Sequence, residues 1–298
     1  MKPKTVAIIG AGGRGTLFAD IIGEYGHLGK VVAVAEPKDD YRQSMAAKHG
    51  VKKDMCFNTW QEFVARPKLC DAVVVATMDR EHVEPAVACL NKGYDMLLEK
   101  PMAPSLAECR AIEQAQRKSG GIVAVCHSLR YHKEFRKVRD LVASGAIGRL
   151  ITVDMVEGVA TWHQAHSFVR GNWGNEGKSA FMLLAKCCHD IDYLCFLTGQ
   201  PARYVSSFGS LTYFRKENAP EGAADRCTDN CPCEPTCQYS AIKQYVNSDR
   251  ETWPPKVVSY DHSYEAHLKA IQTGPYGRCV WKCDNDVVDH QSVIVEFA

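Results

Sequence analysis

Four glycines follow the first apolar run of the chain at the spacing of a phosphate-binding turn. Residues 6–9 form a short apolar run that leads into Gly10, Gly12, Gly13 and Gly15. The first glycine of such a turn permits a tight bend, the second lets backbone approach a pyrophosphate, and the last lets helix pack on strand. Free N–H groups at the start of the following helix then favour negative charge. The pattern predicts a dinucleotide-binding turn, with a purely structural glycine turn as the alternative.

An acidic residue stands where it could select between two cofactors. A second apolar run, residues 31–35, ends at Glu36, about 20 residues beyond the glycine turn. A carboxylate at that place accepts hydrogen bonds from the adenosine ribose of NAD and repels the 2′-phosphate of NADP. Arg14 leaves an alternative open, because it could brace the pyrophosphate or accommodate a 2′-phosphate. The sequence favours NAD, with NADP as the less favoured cofactor.

Lys100 lies where the reacting end of a bound nicotinamide is expected. Two further apolar runs lead into polar residues, one into Glu99 and Lys100 and the other into Thr77. The carboxyl ends of parallel strands lie at one edge of a sheet, so we expect these residues to join the glycine turn there. His82, in the helix predicted after Thr77, completes the predicted cofactor-binding set. A lysine cation at this edge can polarise a developing alkoxide or a carbonyl oxygen.

A predicted helix in the second half carries four ionisable side chains on an otherwise apolar surface. Residues 179–197 are apolar almost all round, which predicts a buried helix. Burial of Lys186, His189 and Asp190 is costly unless they are paired or used. His189, with an ordinary pKa of about 6.5, suits a base near neutral pH. The alternative is a structural Lys186–Asp190 ion pair at i, i+4, with His189 as a core histidine.

A polar and aromatic stretch before this helix predicts a substrate pocket. Residues 162–173 fit no regular period, and their side chains are of the kind that hold sugar hydroxyls and sugar faces. A surface loop with chance aromatics is the alternative. The predicted substrate-binding residues are Arg130, His163, His166, Arg170, Trp173 and Asp192.

Six cysteines in the last third of the chain are close enough in sequence to suggest a metal. Cys227, Cys231, Cys233 and Cys237 lie in one irregular segment, and two more thiols follow near residue 280. Spacings of three to five residues suit a tetrahedral thiolate zinc site, although they are not the usual CxxC…CxxC pattern. An iron–sulfur cluster and reduced, unligated thiols are the alternatives. The predicted structural zinc ligands are Cys227, Cys231, Cys237 and Cys283, with Cys279 and Cys283 on one face of a strand.

The elements that must position these residues change character near residue 126. Before it, strands and helices alternate at lengths typical of a parallel sheet covered on both faces. After it, the pattern predicts an α/β domain with a cysteine-rich insertion at about 215–255. The chain ends inside an apolar alternating run, which suggests a sheet that is truncated or completed by a partner. In the second part we predict helices at 133–144 and 179–197, and strands at 150–156, 203–212, 278–283 and 291–298.

The overall composition excludes several classes of partner. The 298 residues carry 36 Lys and Arg against 35 Asp and Glu, a net charge of +1. This balance gives no electrostatic case for binding nucleic acid or an anionic membrane. The first strand begins almost at once, and no apolar run approaches the ~18 residues of a membrane span. We expect a cytoplasmic protein whose 14 cysteines are reduced or bind metal.

Three motifs together resemble one known family. The glycine turn, Glu99-Lys100-Pro101 and the pair His189 and Asp192 are similar to motifs of the glucose–fructose oxidoreductase/inositol dehydrogenase (Gfo/Idh/MocA) family. The resemblance implies a Rossmann domain at 1–126. It also implies an α/β domain at 127–298 whose open, mostly antiparallel sheet forms a homodimer or homotetramer. It further implies NAD(P)-dependent oxidation or reduction of sugar or cyclitol hydroxyls, with Lys100 and His189 as catalytic residues.

One position departs from the family pattern. The family's usual aspartate four residues before the histidine is replaced by Ala185. Lys186 is the neighbouring polar residue and a candidate to take over a catalytic role, with the opposite charge. The departure keeps two other functions open: an NAD-dependent glycosidase that oxidises its sugar transiently, and a non-catalytic dinucleotide sensor.

Overall fold

The computed structural model describes residues 2–298 and separates them into two compact units. The first unit ends at Cys126 and the second begins at His127. No helix within residues 2–298 is both long enough and apolar enough to cross a membrane.

The first unit is built on a parallel sheet of six strands in the order β3-β2-β1-β4-β5-β6. Its strands are Lys4–Ile9 (β1), Gly29–Ala35 (β2), Cys56–Phe57 (β3), Ala72–Val75 (β4), Asp95–Leu98 (β5) and Val123–Val125 (β6). Its α-helices are Gly13–Glu24 (α1), Asp39–His49 (α2), Trp60–Ala65 (α3), Val83–Asn91 (α4) and Leu106–Ser119 (α5). This strand order is that of the Rossmann fold, and it confirms the predicted fold class. Ligands of such sheets bind where the order reverses, beyond the carboxyl ends of β1 and β4.

Local sequence explains where two helices of this unit begin. Ser105 caps α5 by accepting the N–H of Glu108, and its hydroxyl donates to the Glu108 carboxylate at 2.6 Å. The helix that follows Thr77 starts at Val83, after a 3₁₀ turn at Asp79–Glu81. Pro85 has no N–H to bond the carbonyl of Glu81. The Thr77 hydroxyl bonds that carbonyl instead, at 2.9 Å.

The second unit contains short helices and one small antiparallel sheet. Its α-helices are Lys133–Ala143 (α6), Thr161–His163 (α7), Met182–Ala185 (α8), Cys188–Thr198 (α9) and Tyr264–Thr273 (α10). Ala202–Ser210 (β7) pairs with His290–Phe297 (β8), from Ala202 opposite Phe297 to Ser210 opposite His290. The antiparallel sheet is therefore confirmed, with two strands among the described residues.

Two predicted strands of this unit are wrong. Residues 150–156 are irregular, because they find no strand to pair with among residues 2–298. Residues 278–283 contain a 3₁₀ turn, Val280–Lys282, and a single bridge from Arg278 to Arg226. Cys279 and Cys283 consequently do not share the face of a strand.

The two stretches expected to carry chemistry also differ from their predicted form. The predicted helix at 179–197 is broken, since Lys186 and Cys187 form a turn between α8 and α9. The aperiodic stretch is helical: α7 continues into a π-helix, Gln164–Arg170. The i→i+5 bonding of a π-helix gives a wider turn than that of an α-helix. That geometry explains why the stretch fits neither the helical nor the strand period.

Candidate functional site

The glycine turn has the geometry that its residues predict. Gly10 has φ +90, and a Cβ there would lie 2.6 Å from the carbonyl oxygen of Ala76. A Cβ on Gly15 would lie 1.9 Å from the carbonyl oxygen of Gly10, so helix α1 packs directly on the turn. Added Cβ atoms on Gly12 and Gly13 would meet nothing within 4 Å. The turn is closed towards the sheet and open on the side where a pyrophosphate would approach.

Glu36 joins the end of β2 to this turn. Its side chain is buried, and one carboxylate oxygen accepts the N–H of Ala11 at 2.8 Å. The other oxygen accepts the N–H of Lys38 at 2.9 Å. A carboxylate has about four lone-pair sites, so two backbone donors leave capacity for ribose hydroxyls.

Arg14 is directed to the opposite half of the sheet edge from Glu36. Its Nε donates to Glu99 Oε1 at 2.5 Å, and its Nη2 lies 3.6 Å from Cys126 Sγ. Glu99 follows β5 and Cys126 follows β6, whereas Glu36 follows β2 on the other side of β1. Glu99 is itself buried, and its second oxygen accepts the N–H of Lys100 at 2.9 Å.

His82 connects the turn after β4 to the turn that carries Lys100. The imidazole is fully buried, with Nδ1 2.8 Å from the carbonyl oxygen of Pro101 and Nε2 3.1 Å from that of Thr77. The predicted cofactor residues of this unit therefore lie together at one sheet edge. His82 occupies a bridging position among them.

In the second unit, His189 belongs to a cluster of charged and aromatic side chains. Arg130 donates two hydrogen bonds to Asp192, at 2.7 and 2.6 Å. His127 Nε2 lies 3.9 Å from the same carboxylate, and its ring meets that of His189 edge-on with centroids 5.9 Å apart. His127 was not among the predicted site residues. Its position in the sequence, directly after an apolar run predicted to be a strand, could have indicated it.

Lys186 pairs with a residue that the sequence did not single out. Its Nζ lies 2.8 Å from Glu157 Oε1, in the irregular segment before α7. The ion pair of Lys186 is therefore with Glu157 and not with Asp190, as the alternative had it. Lys186 lies in the turn before α9, so Lys186 and Asp190 are not on one continuous helix. Burial and the nearby Glu157 raise the pKa of Asp190.

Two predicted substrate residues are turned into the core of the second unit. Arg170 is 1% exposed and donates to the carbonyl oxygens of Arg278 and Tyr239, both at 2.7 Å. His166 stacks on Tyr276 with centroids 4.7 Å apart, and burial lowers its pKa to about 3. The geometry gives these two side chains a structural role.

The other two residues of that stretch pack against aromatic and apolar neighbours. The ring of His163 meets that of Trp253 edge-on, with centroids 4.8 Å apart. Trp173 packs against a buried cluster that includes Phe168. Their assignment to substrate stays a prediction.

The predicted zinc site is not supported. No group of three or more His, Cys, Asp or Glu side chains within residues 2–298 is placed to hold a metal ion. Two of the four proposed ligands have other hydrogen-bond partners: Cys227 Sγ accepts the N–H of Ala241 at 3.3 Å, and the Cys283 thiol donates to the Cys279 carbonyl at 3.3 Å. The correction concerns Cys227, Cys231, Cys237 and Cys283, all of which are free thiols.

Two family models match consecutive parts of the chain. Residues 4–127 match the oxidoreductase family with an NAD-binding Rossmann fold, and residues 135–230 match the GFO/IDH/MocA C-terminal domain. They cover nearly all of the first unit and residues 135–230 of the second.

Named relatives and solved structures agree with these models. The 1,5-anhydro-D-fructose reductase of Ensifer adhaerens is 31% identical over 181 residues, which cover 60% of this chain and 52% of that protein. The inositol 2-dehydrogenase of Streptomyces avermitilis is 28% identical over 222 residues, 74% of this chain and 60% of that protein. The chain thus spans little more than half the length of these relatives. The WlbA dehydrogenase of Bordetella pertussis, solved with NADH and UDP-GlcNAcA, has a similar fold. Its TM-score is 0.60 at 19% identity, covering 70% of this chain and 62% of that chain.

Proposed function

The chain belongs to the Gfo/Idh/MocA family of oxidoreductases, and we propose that it transfers a hydride between a nicotinamide and a hydroxyl-bearing carbon of a sugar, sugar derivative or cyclitol. One observation carries this proposal. The glycine turn, Glu36 and Lys100 lie at the carboxyl edge of a single parallel sheet. A phosphate-binding turn, a ribose-binding acid and a cation for the reacting oxygen are the groups that such a reaction needs.

The residues at the sheet edge fit a bound dinucleotide. The open faces of Gly12 and Gly13 and the N–H groups at the start of α1 receive the pyrophosphate. Once bound, the nicotinamide supplies or accepts the hydride. Glu36 accepts hydrogen bonds from the adenosine ribose. Its negative charge also disfavours a 2′-phosphate, so NAD is the proposed cofactor.

The orientation of Arg14 supports the same choice. Glu99 holds its guanidinium towards β5 and β6, away from the β2 end where a 2′-phosphate would lie. Arg14 therefore serves the pyrophosphate. This orientation supports NAD over NADP as the proposed cofactor.

The remaining residues divide the work of proton and charge transfer. The Lys100 ammonium stabilises negative charge on the reacting oxygen. His189 takes the hydroxyl proton in oxidation and returns it in reduction. Arg130 and Asp192, joined by two hydrogen bonds, lie in the same cluster as His189 and are the best-placed candidates to bind substrate hydroxyls. His82 keeps the Lys100 turn in place through the Pro101 carbonyl.

We also propose that the protein forms a homo-oligomer through the β7–β8 sheet. All of β7 is exposed in the single chain, and Tyr204, Phe208 and Ile294 each leave more than half of their surface uncovered. Exposed apolar patches of this kind mark association surfaces. The 14 free thiols fit a reducing compartment such as the cytoplasm.

A cofactor and substrate panel tests the proposed activity. The protein is incubated with NAD or NADP and with sugars, sugar acids, cyclitols and aryl glycosides. Net formation of NADH is expected. Release of aglycone without net NADH would indicate the redox glycosidase instead, and tight NAD binding with neither product would indicate a sensor.

A further inference from the structure

We propose that Glu157, Lys186 and Asp190 form a cluster of charged groups that positions and tunes His189. The inference rests on the proposed function, because it names what sets the behaviour of that function's base. Glu157 and Asp190 are positioning residues in this account. Lys186 is the cation that joins them to the helix of the histidine.

The turn between α8 and α9 places two of the three residues close to His189 in the chain. α8 ends at Ala185, Lys186 and Cys187 form the turn, and α9 begins with Cys188. Lys186 and Asp190 therefore flank His189 within about one helical turn. The side chain of Lys186 reaches out of the turn to Glu157 at 2.8 Å. A carboxylate from a distant segment is in this way joined to the turn that precedes the helix of His189.

The burial of Asp190 is a second, independent observation on the charged groups of this region. It is 8% exposed, and its Oδ1 accepts no hydrogen bond from any residue of 2–298. The Cys187 side chain forms a hydrogen bond with this carboxyl, but burial of the other oxygen without a donor costs stability. Burial and Glu157 raise its pKa, and burial together with Asp190 raises the pKa of the neighbouring Cys187 to about 12. Glu157 and Asp190 thus place two carboxyl groups near Lys186.

A purely structural account explains the arrangement poorly. Lys186 and Glu157 are each about one-quarter to one-third exposed, and such pairs contribute only about 0–1 kcal/mol. That small gain does not offset the cost of burying Asp190. Costly charged groups beside a titratable residue are typical of functional sites.

Other charged groups around His189 must be held constant in any test. His127 packs edge-on against it, and Asp192 lies near His127 and is neutralised by two hydrogen bonds from Arg130. None of these residues is altered in the variants below. Changes in the titration of His189 then report the Glu157–Lys186 pair.

The experiment is a histidine titration by NMR in selectively labelled protein, with the variants Glu157→Gln, Lys186→Met and the double variant. Glu157→Gln leaves Lys186 uncompensated and should lower the pKa of His189 by roughly 0.5 unit or more. Lys186→Met leaves Glu157 uncompensated and should raise it by a similar amount. The double variant should return it to within about 0.2 unit of the unaltered protein. A structural role alone does not produce shifts of opposite sign.

Matched controls come from the same unit and the same position. The Lys178–Asp284 ion pair, at 2.6 Å, is a second exposed pair, and Lys178→Met should leave the His189 titration unchanged. Lys186→Arg keeps the charge and should also leave it unchanged. If Lys186→Met does not fold, Glu157→Gln and Lys186→Arg together decide the question. Shifts of the same sign in both single variants, or no shift in Glu157→Gln, would overturn the proposal.

The titration separates failure of the cluster from failure of the proposed function. It needs no substrate, so it gives an answer even if the panel finds no turnover. Where turnover is found, the acidic limb of the kcat/KM profile should move with the NMR titration in each variant. If the enzyme is active but Glu157→Gln changes neither the pH profile of kcat/KM nor the His189 titration, the proposed function stands and the proposed cluster is wrong.

Discussion

The two units hold their carboxylates in different ways. In the first unit, Glu36 accepts two backbone N–H groups, and Glu99 accepts one together with the Arg14 guanidinium. In the second unit, Asp190 is equally buried, yet one of its oxygens receives no donor from residues 2–298. The first arrangement depends mainly on backbone donors, with Arg14 as an added side-chain donor, and the second depends on neighbouring side-chain charges. Charge in the first unit is therefore fixed by the fold, whereas charge in the second responds to single substitutions.

The largest expected effect concerns the base of the second unit. His189→Ala should reduce kcat by about 10²- to 10⁴-fold and remove the ionisation near pH 6 to 7 from the rate profile. NAD binding, measured by fluorescence, should be unchanged. Retained turnover in His189→Ala together with its loss in Lys186→Met would transfer the role of base to Lys186.

The corresponding change in the first unit is Lys100→Met. It keeps the aliphatic stem and removes the charge, so kcat should fall by about 10²-fold or more while NAD still binds. Lys92→Met is the matched control, because Lys92 is an exposed lysine of the same unit that bonds only a surface carbonyl in the described contacts. Equal losses in the two variants would show that Lys100 acts through stability.

Cofactor choice tests whether the backbone-held charges act as we propose. Arg14→Ala should weaken NAD and NADP alike, by roughly tenfold, because Glu99 directs the guanidinium away from the 2′ position. Glu36→Ser should weaken NAD and shift the preference towards NADP. The exposed Arg110 of α5 provides a control as Arg110→Ala. A selective loss of NADP in Arg14→Ala would contradict the orientation seen here.

The same comparison explains what the sequence could and could not predict. The glycine turn, Glu36 and the Ser105 cap were predictable, because short-range backbone geometry requires particular residues at fixed spacing. The partner of Lys186 was not, since Glu157 lies 29 positions away in a segment without periodicity (186 − 157 = 29). The secondary structure of residues 164–170 could not be predicted for another reason. These residues form a π-helix, whose period matches neither an α-helix nor a strand. The prediction of a strand at 150–156 was wrong because a strand needs a partner to pair with, and the local sequence pattern does not specify one.

His166 allows a stability test of the second unit. Burial first, and then the charges of His163 and Arg170, lower its pKa to about 3, against about 6.5 in an unfolded chain. The neutral imidazole thus favours the folded state fully above pH 6.5, and this contribution is lost as pH falls towards 3. Between pH 6.5 and 5 the free energy of unfolding should fall by up to about 2 kcal/mol.

Denaturant titrations at several pH values measure this loss. His166→Gln should reduce stability at pH 7 and flatten the decline towards pH 5. His132→Gln, at an exposed histidine of the same unit, should leave the decline as it is. An equal decline in the His166 variant would assign the acid sensitivity to another group.

The smallest expected effect is that of removing metal. Burial raises the pKa of Cys283 to about 11, and burial also raises the pKa of Cys237 and Cys279. Zinc binding must displace the proton from each thiol, so a raised thiol pKa makes that binding less favourable. Hydrogen bonds already satisfy Cys227 and Cys283 separately. A chelator should therefore change the melting temperature by less than about 1 °C. Removal of a structural zinc would have a large effect instead, because such an ion contributes some 10 kcal/mol or more to stability. Elemental analysis of untagged protein should find zinc and iron far below one atom per chain, and a stoichiometric metal whose removal lowers the melting temperature would restore the tetrathiolate site.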